Sequence, residues 1–198
     1  MSVMVEDAAG NNAGTAIPFY VRTAHKFRDD TVTVGPEFVK GMAAEFQQVD
    51  ADLEGRLPEE VFKHLNTTFR EENHRKIRTV CSDSDTKQLW QGTFIRMPNT
   101  APKALFGDRR TYRYQGMDMG SSVHLGVDLA STMSDTVPAA NGGIIVYADD
   151  LGIYGNTVII DHGQGIFSLY AHLSSMAVST GQQVMRGDPI GNTGTTGF

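Results

Sequence analysis

The run "VHLGVDL", residues 123–129, sets a histidine and an aspartate four apart around a glycine. An imidazole and a carboxylate are two of the side chains that hold zinc. Val123, Leu125, Val127 and Leu129 alternate with His124, Gly126 and Asp128. That period of two predicts a strand with the apolar residues on one face and both polar candidates on the other. A straight strand rising about 3.3 Å per residue would hold the two Cα atoms roughly 13 Å apart. That is too far for both side chains to reach one zinc at about 2.0–2.2 Å. A shared ion therefore requires a bend, and Gly126 takes a bulge or kink at least conformational cost. The alternative is a plain polar strand face with a histidine–carboxylate hydrogen bond, and the spacing alone leaves both readings open.

A second histidine with chemical potential is His172, in "GIFSLYAHL". "NTVIID" and "GIFSLYAHL" flank the turn "HGQG", which predicts a hairpin pairing residues 156–161 with 165–173. Strict alternation puts Ser168, Tyr170 and His172 on one face, with Phe167, Leu169, Ala171 and Leu173 on the other. His162, at the turn, reads as structural. His64 and His74 read as surface histidines, with the charges of "REENHRKIR" forming a solvated face. No G-x-S-x-G elbow exists, and Cys81, the single cysteine, reads as a small passive side chain, so nucleophilic catalysis fits badly.

Three kinds of element must position these groups. Residues 1–22 are turn-rich, with Ile17, Phe19 and Val21 alternating as one short strand. This segment resembles the closing strand of an immunoglobulin-like module of bacterial surface proteins, which implies a polypeptide extending further upstream. Residues 23–97 are mainly helical. Phe38, Met42 and Phe46 fall four apart beside Val39 and Ala43, after Pro36. Glu59 and Glu60 suit a second helix start at Pro58, with Val61, Phe62, Leu65 and Phe69 as its buried stripe. Residues 98–198 change to short alternating runs broken by glycine, proline, asparagine and aspartate, the pattern of an antiparallel β domain. The fold class is therefore α+β.

The chain has 198 residues, 40% hydrophobic and 20% charged, with a formal net charge of −6, values ordinary for a globular protein. The charge offers no basic footprint for nucleic acid. No window reaches the roughly 18 apolar residues of a membrane span, and the N-terminus lacks the order of a signal peptide.

From Phe106 onward the chain resembles the catalytic domain of lysostaphin/LytM-type zinc metallopeptidases, enzymes that cut peptides of bacterial peptidoglycan. The matching pieces are "FGDRRTY", "HLGVDLA", "VPAANGGIIVYAD", "YGNTVIIDHGQGIFSLYAHLS" and "VSTGQQVMRGDPIGNTGTTG", in order. The resemblance implies a barrel-like antiparallel sheet of the duplicated hybrid type, one Zn2+, peptidoglycan peptides as partners and an extracytoplasmic location. It further implies that His124 and Asp128, from the family's H-x-x-x-D motif, ligate the metal. His172, from Y-A-H-L-S, assists the attacking water or the tetrahedral intermediate, and Arg110 is a substrate or structural contact. The family completes its site with an H-x-H motif after a T-G-x-T-G stretch, yet no histidine follows His172 and no H-x-H occurs in this sequence. On the resemblance, then, the chain is a fragment lacking its third zinc ligand, holding zinc weakly, with little activity of its own. A missing strand would also leave an open sheet edge and favour dimers or swapped oligomers. The alternative is a non-catalytic domain of the same fold that binds peptidoglycan or regulates other cell-wall hydrolases. "VSTGQQVMRGDPIG" also resembles the turn unit of lipoyl-type barrels, whose modified lysine has no counterpart in "DHGQG".

Overall fold

The computed structural model describes residues 2–16, 27–132 and 134–197. Strands β1 (Ser2–Glu6) and β2 (Asn12–Ala16) form an antiparallel hairpin at the start of the chain. The alternation of Ile17, Phe19 and Val21 predicts a single strand in this region; those three residues lie outside the described ones.

Strand β3 (Asp29–Thr33) leads into helix α1 (Pro36–Val49), which starts on the expected proline. Val39, Met42, Ala43 and Phe46 are buried along its inner face. Phe38, expected in the same stripe, is 52% exposed and sets its ring edge-on to Phe62 at the rim. Helix α2 (Pro58–His64) runs without interruption through a wider π turn at Leu65–Phe69 into α3 (Arg70–Val80). Val61, Phe62 and Leu65 are fully buried, and the Glu60 carboxylate accepts the Leu57 N–H at the helix start.

The β region holds β4 (Ala101–Ala104), β5 (Arg109–Tyr114), β6 (Met117–Val123), β7 (Asp128–Ala130), β8 (Thr136–Pro138), β9 (Gly143–Asp150), β10 (Asn156–Asp161), β11 (Phe167–Met176), β12 (Gln183–Val184) and β13 (Pro189–Thr193). Six of these form one antiparallel sheet in the order β12-β9-β10-β11-β13-β8. Irregularities in the β9–β10, β10–β11, β11–β13 and β13–β8 pairings bend its strands, and the sheet curls as a half-barrel. β10 and β11 pair antiparallel, the expected hairpin. A second sheet has the order β3-β5-β6, with β3 and β5 parallel, and β4 pairs with β7 separately.

Two packed regions divide the hydrophobic residues. The helices bury Val39, Phe46, Leu53 and Phe62 together with Tyr114 and Met119 of β5 and β6, so this core spans the boundary near residue 98 drawn from composition. The curled sheet encloses Ile145, Val158, Ile160, Leu173 and Ile190 on one side. On its other side Tyr147, Leu151 and Ile159 meet Ile77, Val80 and Cys81 at the end of α3. Burial raises the Cys81 thiol pKa, with Asp161 adding to the effect, in keeping with a passive side chain.

The stretch "REENHRKIR" is therefore not a solvated face throughout. Asn73 is buried, and its Oδ1 accepts the Ile153 N–H at 2.9 Å. His74 is half-buried, with Nε2 2.9 Å from the Tyr154 hydroxyl. These side chains fasten α3 to the turn Gly152–Tyr154, a contact invisible to a reading of charge along the helix.

Candidate metal centre

β6 and β7 belong to different sheets, and the chain must turn between Val123 and Asp128 to change from one to the other. The bend falls at Gly126, as the spacing demands. Glycine is not what permits it: Gly126 has no left-handed backbone, and a Cβ there would meet nothing within 4 Å. The change of sheet partner supplies the turn. On one side, the His124 N–H donates to the Asp108 carbonyl and the Gly107 N–H donates to the His124 carbonyl, both at 2.8 Å. On the other, Asp128 is held in register against Ala104 of β4.

This fold brings the predicted pair together. His124 Nε2 lies 3.0 Å from Asp128 Oδ1, and the other ring nitrogen, Nδ1, lies 2.9 Å from the Leu105 carbonyl. A carbonyl only accepts, so Nδ1 carries the proton that is donated to it. In the neutral ring Nε2 then turns a lone pair toward the carboxylate, an arrangement that needs a proton or a cation between them. Two ligands of a tetrahedral zinc at about 2.0–2.1 Å stand roughly 3.3 Å apart. The donors thus fit a zinc ion in type, orientation and separation, and Leu105 is the outer-shell acceptor that such a histidine ligand uses.

Arg110, on β5, places Nη2 3.7 Å from Asp128 Oδ2. Its contact is thus an ion pair with the candidate ligand, at a site where both side chains are more than a third exposed, so screening keeps its contribution small. Asp108 is a member of the site that the sequence analysis does not single out. Its carboxylate accepts the N–H groups of Leu105 and Arg28, which hold its pKa below the usual carboxylate value, Leu105 first. The available signal is the "GD" turn in "FGDRRTY", where a short acidic side chain bonds nearby backbone.

The apolar residues of the motif are not where alternation puts them. Val123 is 49%, Leu125 55% and Val127 51% exposed, whereas the His124 side chain is only 19% exposed. The strand's period does not continue through the bend, so the imidazole turns inward and the aliphatic side chains form an open apolar rim.

His172 lies on β11, in the curled sheet. It adopts a left-handed backbone, φ 59°, at an irregularity of β11, a conformation that costs a β-carbon-bearing residue about 1–3 kcal/mol. The alternation of β11 breaks there, because Tyr170 and Leu173 both pack into the core of the curled sheet. The His172 Nδ1 lies 2.8 Å from the Thr196 carbonyl. Among the described residues no group of three or more His, Cys, Asp or Glu side chains is placed to hold a metal ion.

His162 is fully buried, with Nδ1 2.7 Å from the Gly142 carbonyl and Nε2 2.7 Å from the Ser168 hydroxyl. Both ring nitrogens are satisfied within the hairpin end. Burial lowers its pKa, opposed by the Gly142 carbonyl and the Asp161 charge.

With this geometry established, similarity to known proteins places the β region. The chain matches the sequence pattern of peptidase family M23 over residues 122–198. Residues 122–198 are thus similar to peptidase family M23. Among curated relatives, the peptidoglycan DD-endopeptidase ShyA of Vibrio cholerae is 38% identical over 74 residues, covering 37% of this chain and 17% of that protein. The murein hydrolase activator EnvC of Escherichia coli is 35% identical over 86 residues, covering 43% of this chain and 20% of that protein. The chain thus spans a fifth or less of the length of these two relatives. Among solved structures, a candidate peptidase M23 from Pseudomonas aeruginosa superposes with a TM-score of 0.53 at 25% identity, covering 66% of this chain and 50% of that one. The stretch similar to family M23 begins within β6, just before the bend that carries His124 and Asp128.

Proposed function

We propose that this chain is part of a zinc-dependent endopeptidase that hydrolyses peptide bonds of bacterial peptidoglycan in the cell envelope. The observation that carries the reading is the His124–Asp128 pair at 3.0 Å, with the remaining imidazole nitrogen tied to a carbonyl. In this reading Nε2 of His124 and Oδ1 of Asp128 hold the metal, and Arg110 meets the substrate beside Asp128. Bound zinc would lower the pKa of its water to about 7 and polarise the scissile carbonyl. His172 assists by hydrogen bonding to the attacking water or the tetrahedral intermediate. Two protein ligands hold zinc weakly, so a further donor is needed for full affinity. Residues 27–97 act as an accessory region beside the peptidase domain. The open edges of β12 and β8 offer backbone for self-association, which sedimentation at rising concentration would detect.

The test is release of soluble peptides from purified peptidoglycan by the chain with added zinc, compared with chelator-treated chain and with His124→Ala and Asp128→Ala. Zinc-dependent release that disappears in both variants is the expected result. Equal release by wild type and variants would refute the assignment.

A second reading, a hydrolase-regulating domain, is favoured by the similarity to EnvC. It expects a chain inert on peptidoglycan that raises hydrolysis by a separate cell-wall hydrolase.

A further inference from the structure

His172 sits at an extra residue in its strand. Asn156 pairs with Leu173 and Val158 with Tyr170, so Thr157 faces both Ala171 and His172. A bulge of this kind re-aims a side chain and is frequent beside active sites. What the imidazole meets there is backbone. Nδ1 lies 2.8 Å from the Thr196 carbonyl, which only accepts, so Nδ1 carries the proton. In the neutral ring the lone pair then falls on Nε2, which has no hydrogen-bond partner among the described residues. The position of one carbonyl therefore decides which nitrogen of His172 can accept.

Two sets of contacts fix that carbonyl. The Thr196 hydroxyl donates to the Leu173 carbonyl at 2.8 Å and accepts the Asn156 N–H at 3.0 Å, so it bridges β11 and β10. The Thr196 backbone is also pressed against Gly155. A Cβ on Gly155 would run into the Thr196 carbonyl carbon and hydroxyl, and its φ of +59° suits glycine as well. Gly155 closes the turn Gly152–Tyr154, and α3 holds that turn from the other side. The Ile153 N–H donates to Asn73 Oδ1 at 2.9 Å, and the Tyr154 hydroxyl lies 2.9 Å from His74 Nε2. Asn73 is itself buried, so it has little room to shift. Contacts thus run without a gap from α3 through residues 152–155 to Thr196 and His172, the kind of contiguous network that carries coupling between distant groups.

We infer that α3 positions His172: Asn73, acting through the turn Gly152–Tyr154 and the Thr196 carbonyl, holds the imidazole in its Nδ1–H form with Nε2 free to accept. Asn73 and Thr196 are positioning residues, and the helical region takes part in preparing a side chain of the β region. The inference rests on the peptidase reading only for what Nε2 then does, which is to accept a hydrogen bond from the attacking water. The hold on the ring stands without that reading.

The test is NMR of the whole chain, labelled with nitrogen-15, in chelator-containing buffer at about pH 8.5, where an imidazole is ordinarily neutral and its ring nitrogens report the tautomer. In the wild type the Nδ1–H form of His172 should exceed the Nε2–H form by about fivefold or more, the net worth of one hydrogen bond. Thr196→Val keeps the shape and loses the hydroxyl, and should bring the two forms near parity, whereas Thr196→Ser should keep the preference. Asn73→Ala should weaken the preference in the same direction, and Asn73→Asp, which retains an Oδ1 acceptor, should restore it. Tyr154→Phe loses only the bond to His74 and should lower the preference about twofold, which covers the case of an Asn73→Ala chain that does not fold. An Nε2–H ring in the wild type, or an unchanged preference in folded Thr196→Val, would overturn the hold by Thr196. An unchanged preference in folded Asn73→Ala, or in Tyr154→Phe where Asn73→Ala does not fold, would overturn the role of α3. Absence of zinc-dependent peptide release, read separately, would refute the peptidase assignment and leave the tautomer result unchanged.

Discussion

The end of the β10–β11 hairpin and the bend between β6 and β7 each carry a histidine and a glycine, and the two regions use them in opposite ways. At the hairpin end, His162 is sealed between a carbonyl and a hydroxyl, with the Phe94 ring edge-on at 4.8 Å. Gly163 has φ +87°, and a Cβ there would lie 1.9 Å from the Lys87 carbonyl oxygen. The Asp161 carboxylate beside it accepts from Ser84, Asp85 and Gly163, pinning the segment before β4 to the turn. At the bend, His124 faces a half-exposed carboxylate, and a Cβ added at Gly126 would meet nothing within 4 Å. Neutral partners on both nitrogens make a histidine structural. A carboxylate on one nitrogen and solvent nearby leave it ready for a cation. The hairpin end is over-determined by packing, and the bend is held by backbone bonds and a few exposed polar contacts.

The largest effect should come from Gly163→Ala, which meets both a backbone clash and a left-handed conformation. Destabilisation of about 3 kcal/mol or more is expected, measured by chemical denaturation, and a loss below about 1 kcal/mol would show that the hairpin end is looser than its contacts imply. Next, His162→Ala removes a fully buried ring and its bonds to the Gly142 carbonyl and the Ser168 hydroxyl, costing about 2–4 kcal/mol in the same assay. The corresponding change at the bend, His124→Ala, should cost under about 1 kcal/mol while abolishing zinc uptake, read by metal analysis after dialysis.

Acidification should separate the two regions again. Burial holds the folded His162 pKa below the unfolded value of about 6.5. The unfolded chain then takes up the proton first, so the stability tied to a neutral His162 is intact above about pH 6.5 and declines as pH falls from there toward the folded pKa. Thermal melts between pH 7.5 and 5, in wild type and His162→Gln, would reveal this as a shallower slope in the variant. His74, whose pKa burial also lowers, contributes in the same direction and is retained in both chains. The smallest effect is expected from Gly126→Ala, within about 0.5 kcal/mol, because the space is open. A large loss there would mean that the bend depends on glycine after all.

Much of this is legible along the chain. The stripe Val39, Met42, Ala43 and Phe46 packs as its spacing requires, and the hairpin around "HGQG" forms in the expected place. The need for a bend between His124 and Asp128 comes from the strand rise alone. Illegible are the partners. The Leu105 carbonyl that orients His124 is 19 residues away, and the Gly152–Tyr154 turn that receives Asn73 and His74 is some 80 residues on. Periodicity reports which side of an element is apolar, and no local pattern states what covers it.

The amino-acid sequence by itself determined the α+β class, the helical stripes, the hairpin and the pairing of an imidazole with a carboxylate, because each depends on backbone geometry over a few residues. Tertiary structure alone decided that β6 and β7 enter different sheets, that His124 turns inward while Val123, Leu125 and Val127 face solvent, that His172 takes a left-handed backbone, and that the helices wall a cleft along β6. Those outcomes depend on which distant strands and helices pair, and the free energy of such pairing is a property of the whole fold rather than of any window along it.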